Sequence, residues 1–150
     1  MMAPTFSLPD QDGVVRSLAD YAGSWLVLYF YPKDDTPGCT TEACTLRDSL
    51  SALQKLGAAV VGVSKDSVKS HKKFAEKFEL NFPLLSDESG EMVEAYGAWG
   101  GKKLWGREYD GILRKTFIIN PQGEIAKEYP EVNPTQHAAE ILTDLERLQA

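Results

Sequence analysis

Cysteine is scarce in this chain: Cys39 and Cys44 are the only two among 150 residues. That excludes a disulfide-stapled secreted scaffold, which needs several bridges. It also argues against a closed zinc site, which takes four ligands. Only His71 and His137 could complete one, and they lie far apart without finger spacing. Basic charge is short as well. Sixteen Lys and Arg face 22 Asp and Glu, a net charge of −6, so the basic patch of a nucleic-acid binder is missing. No apolar run approaches the roughly 18 residues of a membrane span. The N-terminus, Met1-Met-Ala-Pro-Thr-Phe-Ser-Leu-Pro-Asp10, lacks the basic and apolar regions of a signal peptide. The default expectation is a cytoplasmic protein that engages neither membrane nor nucleic acid. In a reducing compartment the two cysteines rest as thiols, free for metal binding, catalysis, redox sensing or plain burial. Repeats, low-complexity tracts and long linkers are also missing, so residues 1–150 read as one domain with its own core.

What is present is strong alternation of element types. Thr5–Leu8 and Val14–Arg16 flank a Pro-Asp-Gln-Asp-Gly turn and predict an N-terminal hairpin. Trp25-Leu-Val-Leu-Tyr-Phe-Tyr31 is continuously apolar, the mark of a strand buried on both faces. Leu46, Leu50, Leu53 and Leu56 form one helical stripe that Gly57 is placed to end. Ala58–Val63 is a second buried strand, and Ser67–Phe78 reads as a helix in which His71 is an ordinary member. A short strand near Leu84 and a helix over Asp87–Tyr96 follow. Gly97–Asp110, rich in glycine and aromatics, reads as a loop; its Trp99 and Trp105 are expected to pack into the core, with lining of a pocket or a docking surface as the alternative. Ile112–Ile119 and Glu124–Tyr129 form a hairpin around Asn120-Pro-Gln-Gly123, and Thr135–Leu148, which includes His137, closes the chain as an amphipathic helix. Early βαβ units demand parallel pairing and the late hairpin adds antiparallel strands. The expected fold is α/β: a thioredoxin-like mixed central sheet flanked by helices, with an N-terminal β-hairpin extension.

The segment Pro32-Lys-Asp-Asp-Thr36-Pro37-Gly38-Cys39-Thr-Thr-Glu42-Ala-Cys44 carries the chemistry. Thr36 is a good N-cap and Pro37 a good first helical residue. Cys39 then falls in the first turn, where unpaired N–H groups and the helix dipole favour thiolate over thiol. Thr36 brings a hydroxyl near the sulfur, Pro37 limits solvent, and Gly38 leaves room for a small substrate. Ionisation alone achieves little. A free thiol is roughly 3% ionised at pH 7, so complete ionisation gains only about 30-fold, against the 10⁶-fold or more that enzymes commonly supply. The site must also stabilise charge on the departing group, through a hydroxyl, backbone N–H groups or a guanidinium. In a regular helix, residues five apart have Cα atoms about 8.6 Å apart, beyond the usual disulfide limit of about 6.8 Å. Cys39 and Cys44 therefore either never pair or pair only when the first turns unwind. Thr40 and Thr41, poor interior helix residues, ease such unwinding.

These residues resemble the peroxiredoxins. The motif Pro-x-x-x-Thr/Ser-x-x-Cys is met by Pro32, Thr36 and Cys39, and a second cysteine five residues on is similar to the bacterioferritin-comigratory-protein (PrxQ) subfamily. Phe6–Asp10, Leu28–Pro32, Thr45–Asp48, Leu84–Asp87 and Tyr109–Ile119 extend the likeness along nearly the whole chain. The resemblance implies a peroxidase acting on hydrogen peroxide and alkyl hydroperoxides without metal, haem or flavin. It implies Cys39 as the peroxidatic cysteine, Thr36 as the residue that orients the peroxide, Arg114 as the holder of thiolate and developing charge, Pro32 as a shield, Glu42 as the positioner of the arginine and Cys44 as the resolving cysteine. It implies recycling by a thioredoxin-like reductant and a monomeric state. Plainer roles stand beside these. Cys44 is equally suited to core packing, and Glu42 to a solvated place in the first turn, where the dipole favours an acid. An arginine inside the apolar strand Ile112–Ile119 needs a partner or a task. Two rival functions share the fold. A thiol–disulfide oxidoreductase would carry Cys-x-x-Cys, which is missing here, and a redox-responsive binding protein would form the disulfide without turnover.

Overall fold

Strands and helices follow one another as the apolar pattern requires. The computed structural model describes residues 1–104 and 106–150, with Lys103 and Leu104 described by backbone alone. The elements are β1 (Ser7–Pro9), β2 (Val15–Ser17), β3 (Trp25–Phe30), α1 (Pro37–Lys55), β4 (Ala58–Ser64), α2 (Val68–Lys77), β5 (Leu84–Ser86), α3 (Glu91–Ala95), β6 (Trp99–Leu104), β7 (Arg107–Ile112), β8 (Lys115–Ile119), β9 (Ile125–Tyr129) and α4 (His137–Gln149). β1 and β2 pair antiparallel as the N-terminal hairpin.

Five strands make the central sheet in the order β5-β4-β3-β8-β9. β4 runs parallel to β3 and to β5, whereas β8 is antiparallel to both β3 and β9. β3 is central and buried on both faces, which is why its sequence shows no polar alternation. Val27 and Tyr29 face one core with Cys39, Ala43, Leu46 and Leu53 of α1, Phe74 of α2 and Ile141 of α4. Leu26, Leu28 and Phe30 face the other with Phe6, Val93 of α3 and Phe117. Helices thus cover both faces of a mixed sheet, the expected thioredoxin-like α/β arrangement. Gly57, at φ 75°, turns the chain from α1 into β4 in the left-handed region that favours glycine.

The region after α3 departs from the sequence-based reading. Gly97–Asp110 is not a loop. Trp99–Leu104 pairs with Arg107–Ile112 as a separate antiparallel hairpin, with Trp99 opposite Ile112. Glycines at 100, 101 and 111 hide the strand alternation on which a sequence reading depends. Trp99 is 37% exposed rather than in the core, with the Lys65 ammonium 4.8 Å from its ring centroid; the expectation for Trp105 lies outside the described residues. The anticipated strand Ile112–Ile119 is divided, because Ile112 ends β7 and β8 starts at Lys115. Arg114 sits in the break. Helix α3 is also shorter than expected, because the Asp87 carboxylate accepts from the Val93 amide at 2.8 Å and holds residues 87–90 as a turn.

Candidate active site

The start of α1 is built as its sequence dictates. Thr36 is the N-cap in extended conformation, Pro37 is the first helical residue, and the Thr40 amide donates to the Thr36 carbonyl at 2.8 Å. The Thr36 hydroxyl makes no cap bond. It donates instead to the Lys33 carbonyl at 2.8 Å. With its hydrogen committed there, the oxygen can only accept from an arriving O–H. Pro32 is half-buried just ahead of this turn. Cys39 is 1% exposed and belongs to the core on the α1 face of the sheet.

Arg114 reaches this thiol from 75 residues away. Its Nη2 donates to Cys39 Sγ at 3.2 Å, and its Nη1 donates to Glu42 Oε1 at 2.8 Å. One planar fork therefore holds a sulfur and a carboxylate together, a geometry a lysine ammonium could not reproduce. A β-carbon on Gly38 would lie 3.2 Å from Arg114 Nη2. The space this glycine leaves is occupied by the guanidinium, not reserved for substrate as the sequence suggested.

Glu42 is fully buried rather than solvated. Burial raises its carboxyl to about 7, against the pull of Arg114. Burial also works against the Arg114 charge, but the Cys39 sulfur and then the Glu42 carboxylate more than offset it. Among the described residues, Glu42 Oε2 and the hydroxyl of buried Tyr29 have no hydrogen-bond partner. A second cation, Lys102 on β6, faces the same site. Burial and then Arg114 lower its pKa, while Cys39 opposes them. No sequence signal marked Lys102, since the hairpin that carries it read as a loop.

The buried carboxyl has a measurable consequence. Between pH 4.5 and about 7 the unfolded chain has released the Glu42 proton while the folded protein keeps it. Stability therefore falls as pH rises through that window, by about 3 kcal/mol in all. Glu42→Gln cannot ionise and is expected to remove that decline. Urea unfolding of both proteins at several pH values checks it, and parallel stability curves would refute it.

Cys44 is half-buried on the same unbroken helix as Cys39, and both are free thiols. His71 and His137 are more than the plain helix residues expected: both are buried and hydrogen-bonded. The ligand atoms of Asp34, Asp66 and His71 lie within 4.8 Å of one another, as a metal would need. Both ring nitrogens of His71 already have protein partners there, Nδ1 meeting Asp34 at 2.7 Å and Nε2 the Leu85 carbonyl at 2.9 Å. Chemically, the site offers a buried sulfur under a guanidinium, an acceptor hydroxyl at the helix start and a second sulfur that the intact helix keeps away.

Comparison with known proteins gives a consistent result. The AhpC/TSA family model matches residues 1–128. Peroxiredoxin Bcp of Bacillus subtilis is 48% identical over 143 residues, covering 95% of this chain and 91% of that protein. The bacterioferritin comigratory protein of Xanthomonas campestris, solved as trapped intermediate and ligand complexes in a study of alkyl peroxide reduction, has a TM-score of 0.91 at 38% identity, over 97% of this chain and 92% of its own. PrxQ of Xylella fastidiosa, solved as a mutant, has a TM-score of 0.93 at 35% identity, over 100% and 98%.

Proposed function

Because the chain belongs to the AhpC/TSA family, in its peroxiredoxin Bcp (PrxQ) branch, we propose that Cys39 is its peroxidatic cysteine and Cys44 the cysteine that resolves the product. The enzyme is a peroxidase of the oxidoreductase class. Hydrogen peroxide and alkyl hydroperoxides are its substrates, and residues 1–150 act as one domain and as a monomer. The observation that carries the reading is the Arg114 guanidinium, which donates to Cys39 Sγ at 3.2 Å and to Glu42 at 2.8 Å.

The steps follow from this geometry. Pro32 and the protein interior limit water around the sulfur, and Thr36 Oγ accepts the hydrogen of the incoming hydroperoxide and orients its O–O bond. The Cys39 thiolate attacks the nearer oxygen. An S–O bond forms as the O–O bond breaks, so the sulfur is oxidised by two electrons to a sulfenic acid. The departing oxygen leaves as alkoxide or hydroxide and takes a proton to become alcohol or water. Arg114 sits where it meets charge on both the sulfur and the oxygens, the arrangement that lowers such a barrier most. Glu42 keeps the guanidinium in its plane.

Resolution then requires movement. Cys44 attacks the Cys39 sulfenic sulfur, an S–S bond forms, and the hydroxyl leaves as water with the Cys44 proton. The continuous α1 keeps the two Cα atoms about 8.6 Å apart, so its first turns must open. A thioredoxin-like dithiol returns two electrons and two protons, and the reducing cytoplasm suits that cycle.

Mass spectrometry after one equivalent of peroxide tests the scheme. The native protein is expected to lose two hydrogens as the disulfide forms. Cys44→Ser is expected to gain one oxygen and stop there, with no turnover by a thioredoxin system. A Cys44→Ser protein that cycles at the native rate would refute the resolving role.

A further inference from the structure

One buried polar cluster has no task in the peroxidase scheme, and it lies directly ahead of the helix that carries Cys39. The Asp34 side chain is 3% exposed. Its Oδ1 accepts from the Tyr31 hydroxyl at 2.6 Å, and its Oδ2 accepts from the Ser70 hydroxyl at 2.8 Å and meets His71 Nδ1 at 2.7 Å. His71 Nε2 faces the Leu85 carbonyl, which can only accept, so Nε2 carries a hydrogen. The Asp34 amide donates to Asp66 Oδ2 at 2.9 Å, and the Ser64 hydroxyl donates to the same oxygen at 2.6 Å. The loop after β3 is thus tied to the end of β4, to α2 and to β5 at a single residue.

Such a cluster is weak evidence for stability, since a well-packed apolar pair commonly serves as well. Its position suggests another use. Between the clamp at Asp34 and the first helical residue lie only Asp35 and Thr36. Asp35 has φ 58°, a left-handed conformation that costs a non-glycine residue some strain, although aspartate tolerates it better than most. The Asp34 clamp on one side, α1 on the other and the Lys77 ammonium, which donates to Asp35 Oδ2 at 2.8 Å, hold it there. Thr36, whose hydroxyl is proposed above to accept the peroxide hydrogen, inherits its place from them.

We propose that the Asp34–His71 pair, with Ser70, positions the start of α1. It holds Thr36 and the first turn in the arrangement that reduces peroxide, and it sets how readily that turn opens to let Cys39 reach Cys44. The second half rests on the resolving role given above to Cys44. Loosening the clamp acts oppositely on the two steps. The peroxide step slows because Thr36 is less often in place, and the disulfide step quickens because the turn opens more often. A second hydroperoxide then has less time to convert the sulfenic acid to a sulfinic acid with release of alcohol or water, so overoxidation declines.

Amide hydrogen exchange and stopped-flow kinetics on Ser70→Ala and Asp34→Asn test this. Ser70→Ala removes one donor and leaves the core untouched, so it remains informative if Asp34→Asn folds poorly. The expected result is about tenfold or greater loss of protection at Thr40–Ala43, the size of losing one hydrogen bond to a charged group, with β3 and β4 unchanged. The peroxide step should slow, the disulfide step should quicken, and a higher peroxide dose should be needed for inactivation. Unchanged protection, loss spread equally over the strands, or both rates moving in one direction overturns the proposal. If the native protein forms no Cys39–Cys44 disulfide, the resolving role fails, and the exchange result still decides whether the clamp holds the first turn.

Discussion

Cys39→Ser is expected to reduce peroxide consumption to the level seen without enzyme. Two independent reasons act together. A serine hydroxyl is not ionised near neutral pH, so the Arg114 fork would face a neutral oxygen where it now faces sulfur. More decisively, the proposed reaction leaves an oxygen atom on the nucleophile, and only sulfur has an oxidation state that can hold it. No neighbour can substitute. Cys44 is the other thiol, and the α1 backbone keeps it about 8.6 Å away by Cα separation. Serine fills nearly the same volume, so the variant is expected to fold, and circular dichroism with a thermal melt checks that. The measurement is peroxide loss with excess thioredoxin system. Turnover above background in a folded variant would sink the assignment of Cys39.

Arg114→Met is expected to lower kcat/KM by about 10² to 10³-fold, the usual cost of removing one preorganised donor from developing charge. Methionine retains an unbranched apolar stem, so the loss reports on the guanidinium and not on a cavity. Arg114→Lys is expected to recover little of it. An ammonium is a point charge and cannot donate along two fixed directions to Cys39 and Glu42. The fold should tolerate the change for a reason the structure supplies. Burial holds the Glu42 carboxyl near 7 with Arg114 pulling it down. Without that pull the carboxyl keeps its proton at neutral pH, so no bare charge is left in the interior. Stopped-flow peroxide reduction compared across the native, methionine and lysine proteins measures the effect. A loss below about threefold in the methionine variant would show that Arg114 does not act on the reacting atoms.

Much of this was legible in the sequence where the signal is local. The apolar run from Trp25, the leucine stripe at 46, 50 and 53, and the Thr-Pro-Gly opening of α1 each describe a few consecutive residues and one period. They sufficed for the sheet, its helices and the placement of Cys39 in a first turn. The five-residue spacing of the cysteines already implied that an intact helix keeps them apart.

The remainder depended on which distant segments touch, and periodicity carries no such information. Gly97–Asp110 became a hairpin because its two halves pair with each other, although its glycines mask the alternation. Glu42 became a buried partner and not a solvated acid because α1 turns it toward Arg114. His71, an unremarkable helix position in sequence, meets Asp34 only because α2 packs on β5 and brings it against the loop after β3. Arg114 lies 75 residues from Cys39 along the chain, and the break between β7 and β8 alone brings it within 3.2 Å of the sulfur. Local chemistry singled out Cys39, the proposed nucleophile, and its helix, because capping, propensity and period act over neighbouring residues. The packing of a whole sheet chose the charge that faces it, because only a closed tertiary structure fixes one side chain against another so far away.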